Sequence, residues 1–181
     1  MKLPTFVLII AALAPLHAAE RVVQRQNAVA PRIPNELIDF PKYLQIAGDG
    51  EPVRAKRRLT EEPFAAMAAE PGTVVLDARS VDKFRLRHVK GAVNMPFTDF
   101  TEESLTKALP AKTTRVLIYC NNNFRGAPVS LAAKSPPASL NISTFVALAT
   151  YGYTNVYELG PLLDVKTTKL VMEGEEVAAQ K

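Results

Sequence analysis

The sequence predicts an α/β layer fold, a parallel sheet covered by helices on both faces, and three observations support it. From Leu59 onward, short β-branched apolar runs alternate with capped helical stretches, the order that builds strand, crossover helix and parallel strand. The run Arg115-Val116-Leu117-Ile118-Tyr119 is apolar on both faces, as a central parallel strand is. The chain has 181 residues and is 48% hydrophobic, enough for one core of ordinary size and too short for two.

Taken in order, Met1-Lys2, the apolar run Phe6 to Leu13, Pro15 and the small residues Ala18-Ala19 have the charged start, greasy middle and small-residue exit of a secretory signal peptide. Residues 1–19 are therefore expected to be removed, with an uncleaved anchor as the alternative, and the mature chain to be exported, periplasmic or secreted. The run is shorter than the ~20 apolar residues of a spanning helix, so no membrane span is expected after cleavage. Residues 20–58 are broken by Pro31, Pro34, Pro41, Pro52 and Gly48-Asp49-Gly50, which predicts an irregular arm with at most a strand or short helix near Leu37 to Ile46.

Thr60 then caps a helix with Glu61 and Glu62 in its first turn and Phe64, Met67 and Ala68 on its buried face. Thr73 to Leu76 is a buried strand ending at Asp77, and Ser80 caps a helix from Val81 to about Arg87. Gly91 to Met95 gives a strand closed by Pro96, and Thr101 caps a helix that Pro110 stops. Beyond Tyr119, Ala127 to Lys134 reads as helical, Ser135-Pro136-Pro137 breaks it, Ile142 to Tyr151 resumes the helical pattern, and Val156 to Leu159 is a last strand. The domain is thus placed at 59–165, with a polar tail, 166–181, expected to fray.

Composition narrows the chemistry. The net charge of +4 is mild, and the one dense basic cluster, Arg54, Lys56, Arg57 and Arg58, has no interleaved aromatics, so it reads as a solvated face rather than a nucleic-acid surface. One cysteine cannot form an internal disulfide, so Cys120 is a free thiol in an oxidising compartment, either bonded between molecules or reactive. Past the leader the sole histidine is His88, for which a structural role is expected, and no metal site can be assembled from one histidine and one cysteine.

Cys120 sits at the carboxyl end of the strongest strand, where open parallel sheets bind their ligands. In Cys120-Asn121-Asn122-Asn123-Phe124-Arg125-Gly126 the three asparagines and the glycine tolerate turn conformations, so successive N–H groups can converge into an anion-holding nest. Such surroundings favour a thiolate, the nucleophilic form of cysteine, and would equally hold an anionic persulfide. Arg125 offers a planar fork for an oxyanion such as thiosulfate. Cys120 is the candidate nucleophile; Asn121, Asn122, Asn123, Phe124, Arg125 and Gly126 are candidate substrate contacts. Asp77 and Arg79 are possible supporting residues that more naturally tie the strand end into the fold.

These residues resemble the rhodanese-like sulfurtransferase family. Val75-Leu76-Asp77-Ala78-Arg79 is similar to its first signature, and His88-Val89-Lys90-Gly91-Ala92-Val93-Asn94-Met95-Pro96 to its His-x-x-Gly-Ala-x-Asn-x-Pro segment. Cys120 through Arg125 resembles the active-site loop, and Gly152 to Leu159 the closing helix-to-strand segment, so the likeness runs from about Leu59 to Leu163. The resemblance implies a doubly wound α/β domain with a central, mostly parallel sheet. It also implies a persulfide cycling on Cys120, with sulfur passing from a donor such as thiosulfate to cyanide, a thiol or a protein acceptor. No cofactor beyond that covalent persulfide is implied, and the small exported bacterial members look nearest.

The sequence departs from the family pattern in three places: an insertion around 135–143 that includes Asn141, Gly160-Pro161-Leu162 in place of a Gly-Gly and tryptophan, and asparagines with Phe124 in the loop. Four alternatives therefore stand beside sulfur transfer. A non-catalytic binding module would keep the fold alone. Phosphatase-like chemistry is disfavoured by four rather than five residues between cysteine and arginine. A redox sensor would lack a resolving cysteine, and a Cys-His hydrolase would need His88 beside Cys120. Asn141-Ile142-Ser143 also fits a glycosylation acceptor.

Overall fold

A computed structural model describes residues 33–179; the expected leader and residues 20–32 of the arm lie outside the described residues. The chain divides at Asp39, and Phe40–Lys181 forms one compact unit. The short stretch before it holds a turn in which Asn35 Oδ1 accepts from the Leu37 N–H at 3.0 Å.

The unit is built on five parallel strands: β1 (Arg58–Leu59), β2 (Thr73–Asp77), β4 (Val93–Asn94), β5 (Arg115–Tyr119) and β7 (Val156–Leu159), in the order β1-β7-β5-β2-β4. Every pairing within this sheet is parallel. Strand β5 lies at its centre, and its side chains alternate between two cores, as a period of two requires. Leu117 and Tyr119 join Phe64, Val75, Leu159 and Phe124 on one face; Val116 and Ile118 join Leu76, Leu105, Phe145 and Leu148 on the other. Each fully buried aliphatic or aromatic side chain contributes about 1.5–3 kcal/mol, so burial on both faces makes β5 the anchor of the fold.

Helix α2 (Glu61–Ala68) supplies Phe64 to the first face. Helices α4 (Glu102–Ala108) and α5 (Leu140–Thr150) cover the second. The expected cap at Thr101 is present: its Oγ1 accepts from the Ser104 N–H at 3.1 Å, and Ser104 Oγ accepts from the Thr101 N–H at 2.9 Å. The short helix α3 (Val81–Leu86) leads to β3 (His88–Val89) outside the main sheet. The expected strand from Gly91 to Met95 contracts to β4.

Three expectations are corrected. The arm contains a 17-residue helix, α1 (Phe40–Lys56), that runs through Gly48, Gly50 and Pro52. Its cause is tertiary: Ile46 and Ala47 pack on the second core, and a Cβ at Gly50 would stand 2.9 Å from Phe145 Cε1, so the missing side chain lets the backbone approach α5. Glu158, on β7 and buried, pairs with Arg54 Nε at 2.6 Å and locks the end of α1 to the sheet.

The expected helix over Ala127–Lys134 is absent. Two carbonyls that such a helix would use internally are taken by tertiary partners instead: Lys83 Nζ donates to Val129 O at 2.7 Å and Arg79 to Ser130 O at 3.0 Å. Beyond them, Asn121 donates to Ala132 O and Asn122 Nδ2 to Lys134 O at 2.9 Å. Turns therefore run over 128–131, followed by a 3-10 turn at Pro136–Ala138.

The tail expected to fray is ordered through residue 179. Strand β8 (Leu163–Asp164) pairs with β6 (Phe124–Arg125), β9 (Met172–Glu173) pairs antiparallel with β3, and α6 (Glu175–Ala178) follows. Leu170 is buried in the first core, and Glu61 Oε1 accepts from the Lys169 N–H at 2.6 Å.

Candidate functional site

Strand alternation places Cys120 past the end of β5 on the side of Val116 and Ile118, toward α5. Ser139, the residue that begins α5, makes no cap to its own helix; its Oγ lies 3.5 Å from Cys120 Sγ. The sulfur thus faces the amino end of an 11-residue helix, the end that favours negative charge. Cys120 is 0% exposed, so its thiol is enclosed in this geometry, with Ser139 Oγ against it.

Asn121–Asn123 form a 3-10 turn, and each side chain binds scaffold. Asn123 Oδ1 accepts from the Cys120 N–H at 2.9 Å and from Asn141 Nδ2 at 2.9 Å, while its Nδ2 donates to Leu159 O at 2.7 Å. One carboxamide therefore joins the cysteine, α5 and the end of β7. Asn122 exchanges two bonds with Lys134, receiving the Lys134 N–H at 2.8 Å and donating to its carbonyl at 2.9 Å. Asn121 donates to Ala132 O and leaves its Oδ1 buried without a partner.

Several expected substrate contacts lie elsewhere. Phe124 is in the first core, edge-on to Tyr119 at 6.0 Å, and cannot face a ligand there. Arg125 is exposed and pairs with Asp164 at 3.4 Å rather than with the sulfur, because β6 is drawn aside by β8. Gly126 has φ +91°, and a Cβ there would meet Val165 Cγ2 at 3.1 Å, so the glycine permits the crossing of loop and tail. Cys120 and Asn123 close the turn as a capping box, the Asn123 side chain accepting from the Cys120 N–H.

Asp77 and Arg79 form a buried ion pair at 2.5 Å, and Tyr119 Oη donates to Asp77 Oδ2 at 2.5 Å. Arg79 also donates to Ser130 O at 3.0 Å and to Arg87 O at 2.8 Å, so most of its donors are engaged by the fold. Burial pulls this guanidinium down, but the bond to and charge of Asp77 together carry it above the ordinary range. Burial first, then the Asp77 charge, pushes the Tyr119 phenol well above its usual value. This cluster ties the ends of β2 and β5 together. His88 stacks on Phe84 at 3.8 Å and meets Phe84 O through Nδ1 at 2.8 Å, a structural placement. No group of metal-ligating side chains occurs among the described residues.

Asn141 is 2% exposed and its amide is spent on Asn123, so the acceptor motif at 141–143 is closed to a glycan in the folded domain. Sequence reasoning missed Ser139 as a neighbour of the thiol, although a serine just before an apolar helical run is an N-cap pattern. It also missed the cleft beside the cysteine, of roughly 590 Å³, whose lining includes Arg79, Lys83, Phe97, Asn121, Lys134 and Leu140.

An open parallel sheet with a cysteine at the carboxyl end of its central strand defines the class: an α/β domain with its single thiol at the carboxyl edge of the sheet. The chain belongs to the rhodanese-like domain family, whose model matches residues 60–160. It is similar to thiosulfate sulfurtransferase PspE of Escherichia coli K12, with 28% identity over 95 residues, 52% of this chain and 76% of that protein. Among solved structures, it resembles the BH2092 protein of Bacillus halodurans at 18% identity, covering 74% of this chain and 88% of that one with a TM-score of 0.49. A rhodanese with anions from E. coli aligns at 23% identity over 57% of this chain and 99% of that one, with a TM-score of 0.39.

Proposed function

We propose that the protein is a sulfurtransferase that carries sulfane sulfur as a persulfide on Cys120. The reading rests on one observation: within the rhodanese-like match, the chain's single cysteine stands at the carboxyl end of β5, against the amino end of α5. The similarity to a thiosulfate sulfurtransferase supports the choice of donor. In the first half-reaction the Cys120 thiolate attacks the outer sulfur of thiosulfate, the S–S bond breaks, and sulfite leaves with the bonding pair. In the second, cyanide, a thiol or a protein thiolate takes that outer sulfur and returns Cys120 as thiolate. No organic cofactor or metal enters either step. Residues 1–19, read as a leader, support an exported compartment for this chemistry.

Thiosulfate is expected to add one sulfur atom to the intact mass, labile to reductant, and Cys120→Ala to abolish the addition. An unchanged mass under excess thiosulfate and other sulfane donors counts against the proposal. A second reading is favoured by the covered thiol and the diverted Arg125: a rhodanese-like module that binds a partner without turnover. It predicts that Cys120→Ser leaves the cellular role intact.

A further inference from the structure

Residues 135–143, where the sequence departs from the family pattern, meet Cys120 twice. Ser139 Oγ lies 3.5 Å from Sγ, and Asn141 Nδ2 donates at 2.9 Å to Asn123 Oδ1, which also accepts the Cys120 N–H at 2.9 Å. The first contact is to the sulfur, the second to the backbone that carries it. Asn123 Nδ2 donates to Leu159 O at 2.7 Å, so this relay is tied to α5 at one end and to β7 at the other. Both carboxamides are buried, which fixes the cysteine and the first turn of α5 in one register.

Ser139 departs from what its position favours. A serine immediately before a helix ordinarily accepts a backbone N–H of the first turn through its hydroxyl. Ser139 makes no such bond, and its hydroxyl is turned to the sulfur. The 3-10 turn Pro136–Ala138 holds it from the other side: the Ser139 N–H donates to Pro136 O at 3.1 Å, and two prolines fix φ through the turn. Local preference is broken in this way where a fold serves a site.

The direction of the bond follows from the charge. A thiol and a hydroxyl can each donate to the other, but a thiolate only accepts, so the serine then becomes the donor. Hydrogen bonds to an ionised acceptor are the stronger kind. Cys120 is 0% exposed, so the hydroxyl takes the place of water at that charge. Arg125 is not in competition, since it is exposed and paired with Asp164 at 3.4 Å. Among the described residues, Ser139 is the only side chain hydrogen-bonded to Sγ.

We infer that Ser139 is a further catalytic residue, whose hydroxyl donates to the Cys120 thiolate. The inference rests on the sulfurtransferase reading for its chemistry. The thiolate forms a bond to the outer sulfur of thiosulfate, the donor's S–S bond breaks, and sulfite leaves with the electron pair. The Ser139 proton stays on Oγ throughout, and the bond to Sγ forms again when an acceptor thiolate removes the outer sulfur and returns the charge to Cys120.

The test uses the full chain. At neutral pH the ultraviolet absorbance of the thiolate is read as the difference between each protein and its Cys120→Ala counterpart. It is expected to fall by about three- to tenfold in Ser139→Ala, the scale of one hydrogen bond, and to recover to within about twofold of the wild type in Ser139→Thr. Ser139→Ala removes no helix bond, because Oγ caps none. Sulfur uptake from thiosulfate is expected to slow and recover in the same two variants. No thiolate absorbance in the wild type, equal absorbance in Ser139→Ala, undiminished uptake in that variant, or a Ser139→Thr as impaired as Ser139→Ala overturns the assignment. If the wild type takes up no sulfur at all, the sulfurtransferase reading fails separately, and the absorbance alone then decides for or against Ser139.

Discussion

At the scale of single residues, the least replaceable polar group is Tyr119. It lies on the central strand, donates to Asp77 Oδ2 and accepts from the Val89 N–H at 3.0 Å, so it links β5, β2 and β3. Tyr119→Phe removes a bond to a charged group and leaves a buried N–H unpaired, a loss of about 1–3 kcal/mol at neutral pH. The pH dependence has a definite sign. The phenol is raised in the folded state by burial first and by Asp77 second, so the folded protein holds this proton above the pH where the unfolded chain releases it. The stabilisation is complete below about pH 10, the ordinary tyrosine value, and is lost as the pH climbs beyond it. Urea unfolding at pH 8 and at pH 10.5 is expected to show a steeper alkaline loss in the wild type than in Tyr119→Phe. Equal losses would assign the alkaline transition to other groups.

At the scale of elements, access to the thiol turns on the segment 132–139, whose last residue, Ser139, lies against Sγ. The asparagine pair binds that segment through side-chain bonds at Ala132 and Lys134, and Ser139 closes its far end on the sulfur. Asn122→Ala removes two of these bonds in one exposed place. Alkylation of Cys120 by iodoacetamide is expected to run roughly tenfold faster in that variant, as two modest hydrogen bonds imply. A rate equal to the wild type would mean that the cover opens by another route. This is also where the sequence was least legible. The strands β2, β5 and β7 and the helices α2 and α5 could be read because their own periodicity specifies them. The loop could not, since an asparagine side chain suits a turn, a nest or a long-range clasp equally well until its partner carbonyls are known. The false helix over 127–134 has the same origin: local propensity is helical, and the carbonyls of Val129 and Ser130, which the helix would use internally, are claimed from outside. Cys120 itself was legible, because a thiol at the end of an apolar strand needs only one-dimensional information.

At the scale of the whole molecule, the segment after β7 acts as a strap that returns across the domain and fixes the loop carrying Arg125. Its polar composition suggested fraying; its anchors are sparse but well placed. Leu170 enters the first core, the Glu61 carboxylate receives the backbone N–H groups of Lys169 and Leu170, and Glu176 accepts from Ser130 Oγ at 2.6 Å. Asp164 and Val165 then hold Arg125 and Gly126 by strand pairing and packing. Leu170 is the one fully buried side chain of this segment, with Leu163, Val165 and Met172 packed only partly, so the loss on truncation is concentrated there. Leu170→Ala is expected to cost about 2–4 kcal/mol in chemical denaturation, the range for a leucine removed from a packed interior. The surface partner Lys169, paired with Glu62 at 2.9 Å but exposed, is expected to leave stability nearly unchanged in Lys169→Ala. The contrast between the two neighbours is the informative result. Comparable small effects would mean the strap rides on the domain, whereas a large loss at Leu170 alone makes the tail part of the core that positions the loop. In that case Leu170→Ala should also loosen Arg125 from Asp164, and proteolysis with trypsin should cut after Arg125 faster than in the wild type.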